Sequence, residues 1–426
     1  MAPKWQCRML VGVASVMLMT GCTSNGATTT VTDDITGTTI PGGSSPSTSQ
    51  VQPTKLLVWA DETRGPIVEA AAQLFEAASG IVVEVEVMPF REIRAAILSA
   101  VPTGQGPDLF MDSNEGTGAL VEAGVVAPLD LAIRESGFVP VALDAFAYDG
   151  EIYAMPFVTE AVALFYNTDL VPAPPADFEA LRSVCDGLGL AAAVGVPCLA
   201  IPAGEPLHQF PFLAGFGGYI FGFGNGSYDS TDTGLGTPEA IAGATFLNGL
   251  YRDGYADGAV DYSTMADLFN QGSVPFMWTG PWQVEAVNAA GINYGVARLP
   301  DMNGRSARPL VGSQGFFLNA MSGIPDSAMS FLLDYIATTE TMVQLSVATG
   351  RPPALLDALA GGSIDRNMEA FGESAANGVP LPNVPEMETV WGPLSDAFSA
   401  LSGLTGDPAA IMATADGSVR EALGTG

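Results

Sequence analysis

The size and charge of the chain already exclude several classes of function. A chain of 426 residues is too long for one ordinary core and predicts two domains. Its hydrophobic fraction of 48% is ample for globular packing. The 46 acidic residues and 15 Lys and Arg give a formal net charge of −31, which argues against nucleic acid and against an anionic substrate captured by field alone. With one His, a common His/Cys metal cluster cannot be built, and we expect no metal and no cofactor.

The N-terminus has the pattern of a targeting segment. Lys4 and Arg8 precede an apolar run, Met9 to Met19, that is too short to span a bilayer. The following Thr-Gly-Cys, which ends at Cys22, resembles the bacterial lipobox, although Met19 stands where Leu is usual. We therefore predict a signal peptide at residues 1–21 and a diacylated Cys22, since two acyl chains suffice for stable anchoring. An ordinary secretory peptide cut nearby is the alternative.

Residues 22–53 are rich in Thr, Ser, Gly and Pro and poor in apolar side chains. Such a segment cannot bury enough surface to fold. We predict a flexible tether with a reach of about 30 Å, which would lift the folded body from the membrane.

The folded body begins with a β-α-β pattern. Leu56 to Trp59 reads as a buried strand, a helix follows, and residues 81–88 alternate as a second strand, so parallel pairing is expected. Leu109 to Met111 is a third short strand. Ligands bind beyond the carboxyl ends of such strands, and the loops at 61–64 and 112–116 are therefore candidate ligand loops.

The stretch from Gly150 to Leu170 predicts a hinge. Ile152 to Phe157 reads as a strand interrupted by Pro156, and a second apolar run extends from Ala161 to Tyr166. Two strands in series suggest a chain that leaves one sheet and enters another, with Glu160 at the crossing. That carboxylate is either an exposed strand-edge residue or a cleft residue that accepts hydrogen bonds from a polar ligand.

The second half of the chain supplies further helices and one cysteine pair. Phe178 to Leu188 and Thr237 to Asp253 read as helices, the latter with Thr237 as its N-cap. Cys185 and Cys198 form an even pair in an exported protein, which suggests a disulfide that would close a loop of about 14 residues and contribute about 3 kcal/mol. A free thiol pair or a metal site is the alternative.

Several motifs then carry a family resemblance. The segment from Asp149 to Asn167 matches the pattern Asn-Gly-x-x-x-Ala-x-Pro-x-x-x-Glu-Ala-x-x-x-x-Tyr-Asn at Gly150, Ala154, Pro156, Glu160, Ala161, Tyr166 and Asn167. Further matches are Gly217-Gly218-Tyr219, Asn225 to Asp229, Gly280-Pro281-Trp282 after a strand, and Pro382-Asn383-Val384-Pro385 followed by Trp391. From about Lys55 onward, the chain resembles the bacterial periplasmic maltose/maltodextrin-binding proteins, the family 1 solute-binding components of ABC importers.

The resemblance implies an α/β fold with two lobes, each a mainly parallel sheet flanked by helices, and a hinge between them. It implies one lobe from residues 54–158 and 311–362 and another from residues 159–310 and 363–426. The segments that cross between the lobes would act as hinges when the lobes close around a ligand.

A sugar needs polar groups at its hydroxyl edges and flat aromatic rings against its C–H faces. Four acids at the predicted loops are candidate hydroxyl acceptors: Asp112, Glu115, Glu160 and Glu205. Arg64 is a candidate donor. By the resemblance, Trp282 and Trp391 stack on sugar, whereas Trp59 is expected in the core. His208 either touches ligand or is a structural residue.

The chain also departs from the maltose-binding pattern. That pattern has Trp at the place of Asp112, Arg at Gly116, Tyr at Leu207 and a further Arg at Ser395. Because aromatic platforms for a long α-glucan are fewer here, we expect a shorter or differently linked oligosaccharide.

The sequence thus predicts a sugar receptor and not an enzyme. We expect a monomer, held by its lipid anchor outside the cytoplasm, that delivers a small-molecule sugar to ABC permease subunits. One alternative is the same fold with a non-sugar solute such as a polyamine or a phosphate ester. The other is an exported glycoside hydrolase that uses Glu160 and Glu205 as its paired carboxylates.

Overall fold

The computed structural model describes residues 55–190 and 196–425. The predicted signal peptide, Cys22 and the tether lie outside the described residues, and these features stay predictions. Within the described ranges, no helix is long and apolar enough to cross a membrane. The same ranges hold no group of three or more His, Cys, Asp or Glu side chains that could bind a metal ion.

Strands and helices alternate along the described chain. The strands are β1 Lys55–Ala60, β2 Val82–Val87, β3 Leu109–Ser113, β4 Val126–Ala127, β5 Ala147–Tyr148, β6 Glu151–Ile152, β7 Ala154–Glu160, β8 Ala163–Asn167, β9 Leu199–Ala200, β10 Phe221–Gly224, β11 Ser227–Thr233, β12 Phe276–Thr279, β13 Tyr294–Ala297, β14 Leu310–Asn319 and β15 Val379–Pro380. The α-helices are α1 Gly65–Ser79, α2 Phe90–Ala100, α3 Thr117–Glu122, α4 Pro140–Asp144, α5 Phe178–Gly187, α6 Pro206–Gly215, α7 Pro238–Arg252, α8 Tyr262–Asn270, α9 Val284–Ala290, α10 Pro325–Phe331, α11 Thr339–Thr349, α12 Leu356–Ala360, α13 Arg366–Ala376, α14 Trp391–Ser402 and α15 Pro408–Ala422. Short 3₁₀ segments and the π-helical turn Leu332–Ile336 connect some of them.

The first sheet has the strand order β15-β14-β3-β1-β2, with β4 and β7 also paired to β14. As the β-α-β pattern predicts, β1 is parallel to β2 and to β3. The long strand β14 is antiparallel to β3, β4 and β7. The sheet is therefore mixed rather than mainly parallel, because β14 follows β13 of the second sheet and is not connected to its neighbours by a helical crossover within the first sheet.

The second sheet has the strand order β13-β8-β12-β9. β8 is antiparallel to both β12 and β13, and only β12 and β9 run parallel. The prediction of a mainly parallel sheet is thus wrong for this lobe. β8 comes from β7 of the first sheet, so its direction is set by the crossing between the sheets and not by a helical crossover from a neighbouring strand.

Two large hydrophobic cores accompany the two sheets. One includes Leu56, Phe110 and Phe316, and the other includes Phe212 and Trp278. A smaller cluster around Phe165, Phe269 and Phe371 packs on the second sheet. Helices pack on these cores by their apolar faces and cover most of both sheets, whereas the edge strand β2 is largely exposed. The residue boundaries of the two lobes given above stay a prediction.

The predicted hinge is visible in the pairing of β7. This strand belongs to the first sheet, and β8, two residues later, belongs to the second. Pro156 pairs with Gly315 and Val158 pairs with Gln314, so the register shifts at this point and Phe157 is the extra residue of a bulge. Pro, which has no N–H to donate, is tolerated at such a bulge.

Two features that the local sequence predicts are present in the second lobe, the N-cap of α7 and a disulfide. The Thr237 side chain accepts a hydrogen bond from the backbone N–H of Ala240 and caps α7. Cys185, in α5, and Cys198, next to β9, are joined by a disulfide with an S–S distance of 2.03 Å. The disulfide ties α5 to the edge of the second sheet.

Candidate functional site

Glu160 lies at the end of β7, where the chain leaves the first sheet. Its Oε2 accepts a hydrogen bond from Arg351 Nε at 2.5 Å, and both side chains are about one quarter exposed. Arg351 Nη1 donates to the Thr349 carbonyl oxygen at 2.9 Å. Oε1 of Glu160 has no hydrogen-bond partner among the described residues. Arg351 therefore fixes Glu160 through Oε2, and Oε1 is available to accept a hydrogen bond from a ligand hydroxyl.

The Arg64 side chain is buried and bonded to protein groups, and it is not an exposed hydrogen-bond donor. It is 6% exposed, pairs with Asp61 and donates to the Gln314 side chain. Its guanidinium lies 4.8 Å from the ring centroid of Phe90 and 5.4 Å from that of Phe157. Burial lowers the pKa of Arg64, against the opposing effect of Asp61. In this structure its terminal nitrogens are engaged by protein, and its contact with ligand stays a prediction.

Asp112 was expected in a loop, and that expectation is wrong. It is the fourth residue of β3, because the strand continues to Ser113, and it is 2% exposed. Its carboxylate accepts from Arg94 Nε at 2.6 Å and Nη2 at 2.9 Å, and from the Ser113 backbone N–H at 2.8 Å. Burial nevertheless raises the pKa of Asp112. Both oxygens are occupied by protein donors, which weakens the expectation that Asp112 accepts hydroxyl hydrogen bonds.

Sequence reasoning missed both Arg351, the partner of Glu160, and Arg94, the partner of Asp112. Arg94 lies on α2 and forms a bidentate pair with Asp112, the strongest geometry for a carboxylate. Gly116 makes room for it, since a Cβ at this position would collide with the Arg94 guanidinium. In the sequence, Arg94 is one of several Arg residues and precedes Asp112 by 18 positions, a spacing that by itself does not specify a pair.

Glu115 lies in the 3₁₀ turn that follows β3 and is exposed. Partial burial of its carboxyl raises the pKa of Glu115, against the field of Arg94 and with smaller contributions from Glu160, Asp112 and Glu388. These mutual influences mean that three of the predicted acids share one neighbourhood. We call this group the charged cluster; its members are Arg64, Arg94, Asp112, Glu115, Glu160 and Arg351.

Trp282 belongs to the second lobe and presents an accessible ring. It follows β12 in a 3₁₀ turn and is 38% exposed. Its ring lies against Gly280, where a Cβ would collide with it, and its edge faces His208 at 6.2 Å between centroids. A half-exposed Trp held on two sides has the geometry of a stacking platform.

Trp391 and Glu205 lie on neighbouring helix ends. Trp391 opens α14, is partly buried and packs against the second core. Glu205 is exposed and directly precedes α6. Ser395 Oγ, one turn after Trp391, donates to the Gly204 carbonyl oxygen at 2.8 Å and so joins these two helix ends. Among the described residues, no hydrogen bond or ion pair joins Trp391, Glu205 or Trp282 directly to the charged cluster of the first lobe.

His208 is a structural residue of the second lobe. It is 3% exposed, its Nε2 lies 3.3 Å from Thr279 Oγ1, and its ring meets Tyr262 edge-on at 5.7 Å. Its Nδ1 has no partner among the described residues. Burial lowers the pKa of His208 to about 3, so the imidazole that supports Trp282 is neutral near pH 7.

This burial predicts a pH-dependent stability. Because the pKa of His208 is about 3 when folded and about 6.5 when unfolded, stability is lost as pH falls below 6.5. Between pH 7.5 and 5, the wild type should lose about 2 kcal/mol more unfolding free energy than His208→Gln. Urea unfolding at both pH values measures the difference. Equal losses in the two proteins would contradict a neutral, buried His208, and no other His contributes.

The crossing from β7 to β8 and the two separate sheets define a two-lobed α/β fold. Residues 70–372 match the family described as bacterial extracellular solute-binding protein. The chain belongs to this family, and both the resemblance and the two-lobed α/β fold predicted from sequence are confirmed, apart from the directions of the strands.

Individual relatives and solved structures are similar over most of the chain. A maltotriose-binding protein of Pyrococcus abyssi is 31% identical over 329 residues, 73% of this chain and 69% of that protein. A galactooligosaccharide-binding protein of Bacillus subtilis is 26% identical over 86% of this chain and 89% of that protein. Among solved structures, a cyclo/maltodextrin-binding protein in complex with maltotetraose has a TM-score of 0.80, with 27% identity over 88% of this chain and 99% of that one. A solute-binding protein of Staphylococcus aureus in complex with maltose has a TM-score of 0.81, 26% identity, and coverage of 88% and 98%.

Proposed function

We propose that this protein is an extracytoplasmic receptor that captures an oligosaccharide between its two lobes and delivers it to an ABC permease. The observation that carries the proposal is the half-exposed Trp282 ring, fixed by Gly280 and His208 on the second lobe. The charged cluster on the first lobe supplies the hydroxyl-binding counterpart. Apolar ring faces on one side and fixed charges on the other match the two kinds of surface of a sugar.

In this proposal each site residue has one role. Glu160 accepts from a sugar hydroxyl through its free oxygen, and Glu115 and Glu205, both exposed, accept at other edges. Trp282 and Trp391 stack on ring faces. Arg64 and Asp112 act mainly through their neighbours: Arg64 holds Gln314, and Asp112 fixes Arg94. None of these roles includes bond cleavage, so the protein acts as a receptor without catalysis.

The ion pair between Arg94 and Asp112 supports a short ligand. It takes the place at which the maltose-binding pattern has an aromatic platform, and a charged pair cannot stack on a second or third glucose in the same way. We therefore propose a di- or trisaccharide, of malto-type or of different linkage. A relative named as a galactooligosaccharide-binding protein supports including linkages other than the malto-type in this proposal.

The remaining parts of the proposal concern location and partners. A lipid on Cys22 would anchor the chain, the tether would let a monomeric receptor reach its permease, and closure of the lobes would create the surface that the permease recognises. Two of the curated relatives are named solute-binding lipoproteins of streptococcal ABC transporters, which supports the anchor.

Thermal unfolding against a panel of mono-, di- and trisaccharides tests the proposal. A sugar that binds only the folded state raises unfolding free energy by about 2.7 kcal/mol at a hundredfold excess over its dissociation constant. A shift with one class of short oligosaccharide is the expected result. A shift only with polyamines or phosphate esters would overturn the sugar assignment, and release of reducing sugar would overturn the assignment as a receptor.

A further inference from the structure

A second cavity lies apart from the charged cluster and from both tryptophans of the proposed sugar site. It has a volume of about 630 Å³, within the range of small-molecule sites. Its lining comes from both lobes: Val141 belongs to the first core, and Phe210 and Phe221 belong to the second. None of the predicted ligand residues lines it.

One wall of the cavity is aromatic. Phe223, on β10, is 39% exposed, and its ring lies 4.7 Å from that of Tyr228 on β11. The Tyr228 hydroxyl donates to the Pro380 carbonyl oxygen at 2.6 Å, which fixes the ring against β15. The wall is therefore rigid, and Phe223 presents its ring to any occupant.

The cavity also holds two ionisable side chains that are not used elsewhere. Asp144, at the end of α4, is half-buried and has no hydrogen-bond or ion-pair partner among the described residues. Arg308 is exposed and is likewise unpaired in the described ranges. Burial raises the pKa of Asp144, as expected of a carboxylate that lacks a donor. Leaving such a group unpaired costs free energy that a ligand donor would recover.

These groups select a chemical class. A free carboxylate offers acceptors, a free guanidinium offers donors, and the Phe223 and Tyr228 rings offer flat apolar faces. The lining also includes Asp232, whose Oδ1 accepts a hydrogen bond from the Tyr219 hydroxyl. A simple anion would be repelled by Asp144 and Asp232, and a simple cation would be opposed by Arg308. A neutral polyhydroxylated molecule uses both side chains and the rings. We propose that this cavity is a second binding site, for a mono- or disaccharide, distinct from the site in the proposed sugar cleft.

The position of the cavity couples binding at the second site to the arrangement of the two lobes. Because its lining includes α4 of the first lobe and β10 and β11 of the second, its width depends on the angle between the lobes. A ligand here binds one arrangement of the lobes better than the other and so shifts their populations. By linkage, it changes the affinity of the proposed cleft, and a cleft ligand changes its affinity by the same factor.

The test separates the two sites by variants in the purified full-length protein. Trp282→Ala weakens the proposed cleft, and calorimetric titration with a mono- and disaccharide panel then reports what remains. We expect one residual, weaker site. Adding Phe223→Ala or Asp144→Asn to Trp282→Ala should weaken that residual binding at least tenfold. Asp267→Asn, at an exposed carboxylate of α8 away from the cavity lining, is the matched control and should change nothing.

Each other outcome contradicts a specific statement. Residual sugar binding that survives both Phe223→Ala and Asp144→Asn would overturn the second site. Loss of all sugar binding in Trp282→Ala, with binding intact in wild type, would overturn it and leave the proposed function standing. Binding that depends on Phe223 and Asp144 but not on Trp282 would keep the second site and overturn the proposed cleft. Residual binding of a free amino acid or betaine, but of no sugar, would overturn the ligand class.

Discussion

Replacing Trp282 with Ala should weaken binding of the preferred sugar by at least about 30-fold. The reason is that a half-exposed aromatic ring, fixed by Gly280 and His208, is the kind of anchor whose truncation costs about 2 kcal/mol or more. Trp282→Phe keeps a smaller flat face and should recover part of the affinity. Isothermal titration of wild type and both variants with the sugar selected by the thermal panel measures the effect.

A matched control separates loss of stacking from loss of fold. Leu74, on α1, is 66% exposed and is not one of the proposed ligand residues, so Leu74→Ala removes exposed apolar surface without removing a proposed ligand contact. It should bind like wild type. An unchanged dissociation constant for Trp282→Ala would remove Trp282 from the site. Trp391 is better tested as Trp391→Phe, because it also packs on the second core and its truncation to Ala would cost stability.

Replacing Arg94 with Gln should lower the free energy of unfolding by about 3 kcal/mol at pH 7. Asp112 is 2% exposed, and without its cation it becomes an unpaired buried charge, a change that costs 3–5 kcal/mol in buried pairs. We expect a loss at the lower end of this range of free energies because the Arg94 side chain is 35% exposed. Urea unfolding curves of the two proteins measure the loss.

The pH dependence of this loss has a defined sign. In Arg94→Gln, Asp112 keeps its burial but loses the cation, so its folded-state pKa stays above the unfolded value of about 3.9 and rises further. The folded variant then holds a proton that the unfolded chain releases, and it gains stability as pH falls through the folded-state pKa. The difference from wild type should therefore be smaller at pH 5 than at pH 7.

Two comparisons make the result interpretable. Arg134 pairs with Asp334, but both side chains are more than 40% exposed, and Arg134→Gln should cost no more than about 1 kcal/mol. Adding Asp112→Asn to Arg94→Gln removes the unpaired charge and should restore part of the stability. A loss in Arg94→Gln no larger than in Arg134→Gln would contradict a structural role for the pair.

The parts of the fold that the sequence predicts best are those set by local rules. Period-two alternation and an apolar helix face give β1, α1 and β2, and Thr237 followed by Pro238 gives the start of α7. Pro156 followed by Glu160 predicts the crossing between sheets, because a Pro in a strand needs a bulge or an edge.

Other features depend on contacts that no local pattern encodes. The direction of β8 and β13 follows from how the chain returns to the sheet, and not from their composition. Helix α6 begins with Pro206, a favoured first position, but Pro211 lies within it, and packing against α7 and α14 rather than a local pattern stabilises the helix there. The Arg94–Asp112 pair joins a helix to a strand, and which Arg reaches which acid is decided by that packing.

The late position of β14 in the chain has a consequence for biosynthesis. Synthesis from the N-terminus delivers β1, β2, β3 and β7 early, yet β3 and β7 both pair with β14, which lies within residues 310–319. Until that segment leaves the ribosome, the first sheet keeps open edges and cannot close, and pairing over such sequence distances is intrinsically slow. The first sheet therefore stays incomplete until the segment up to residue 319 has been synthesised. This order of strands delays folding of the first lobe, and such a delay favours export before folding.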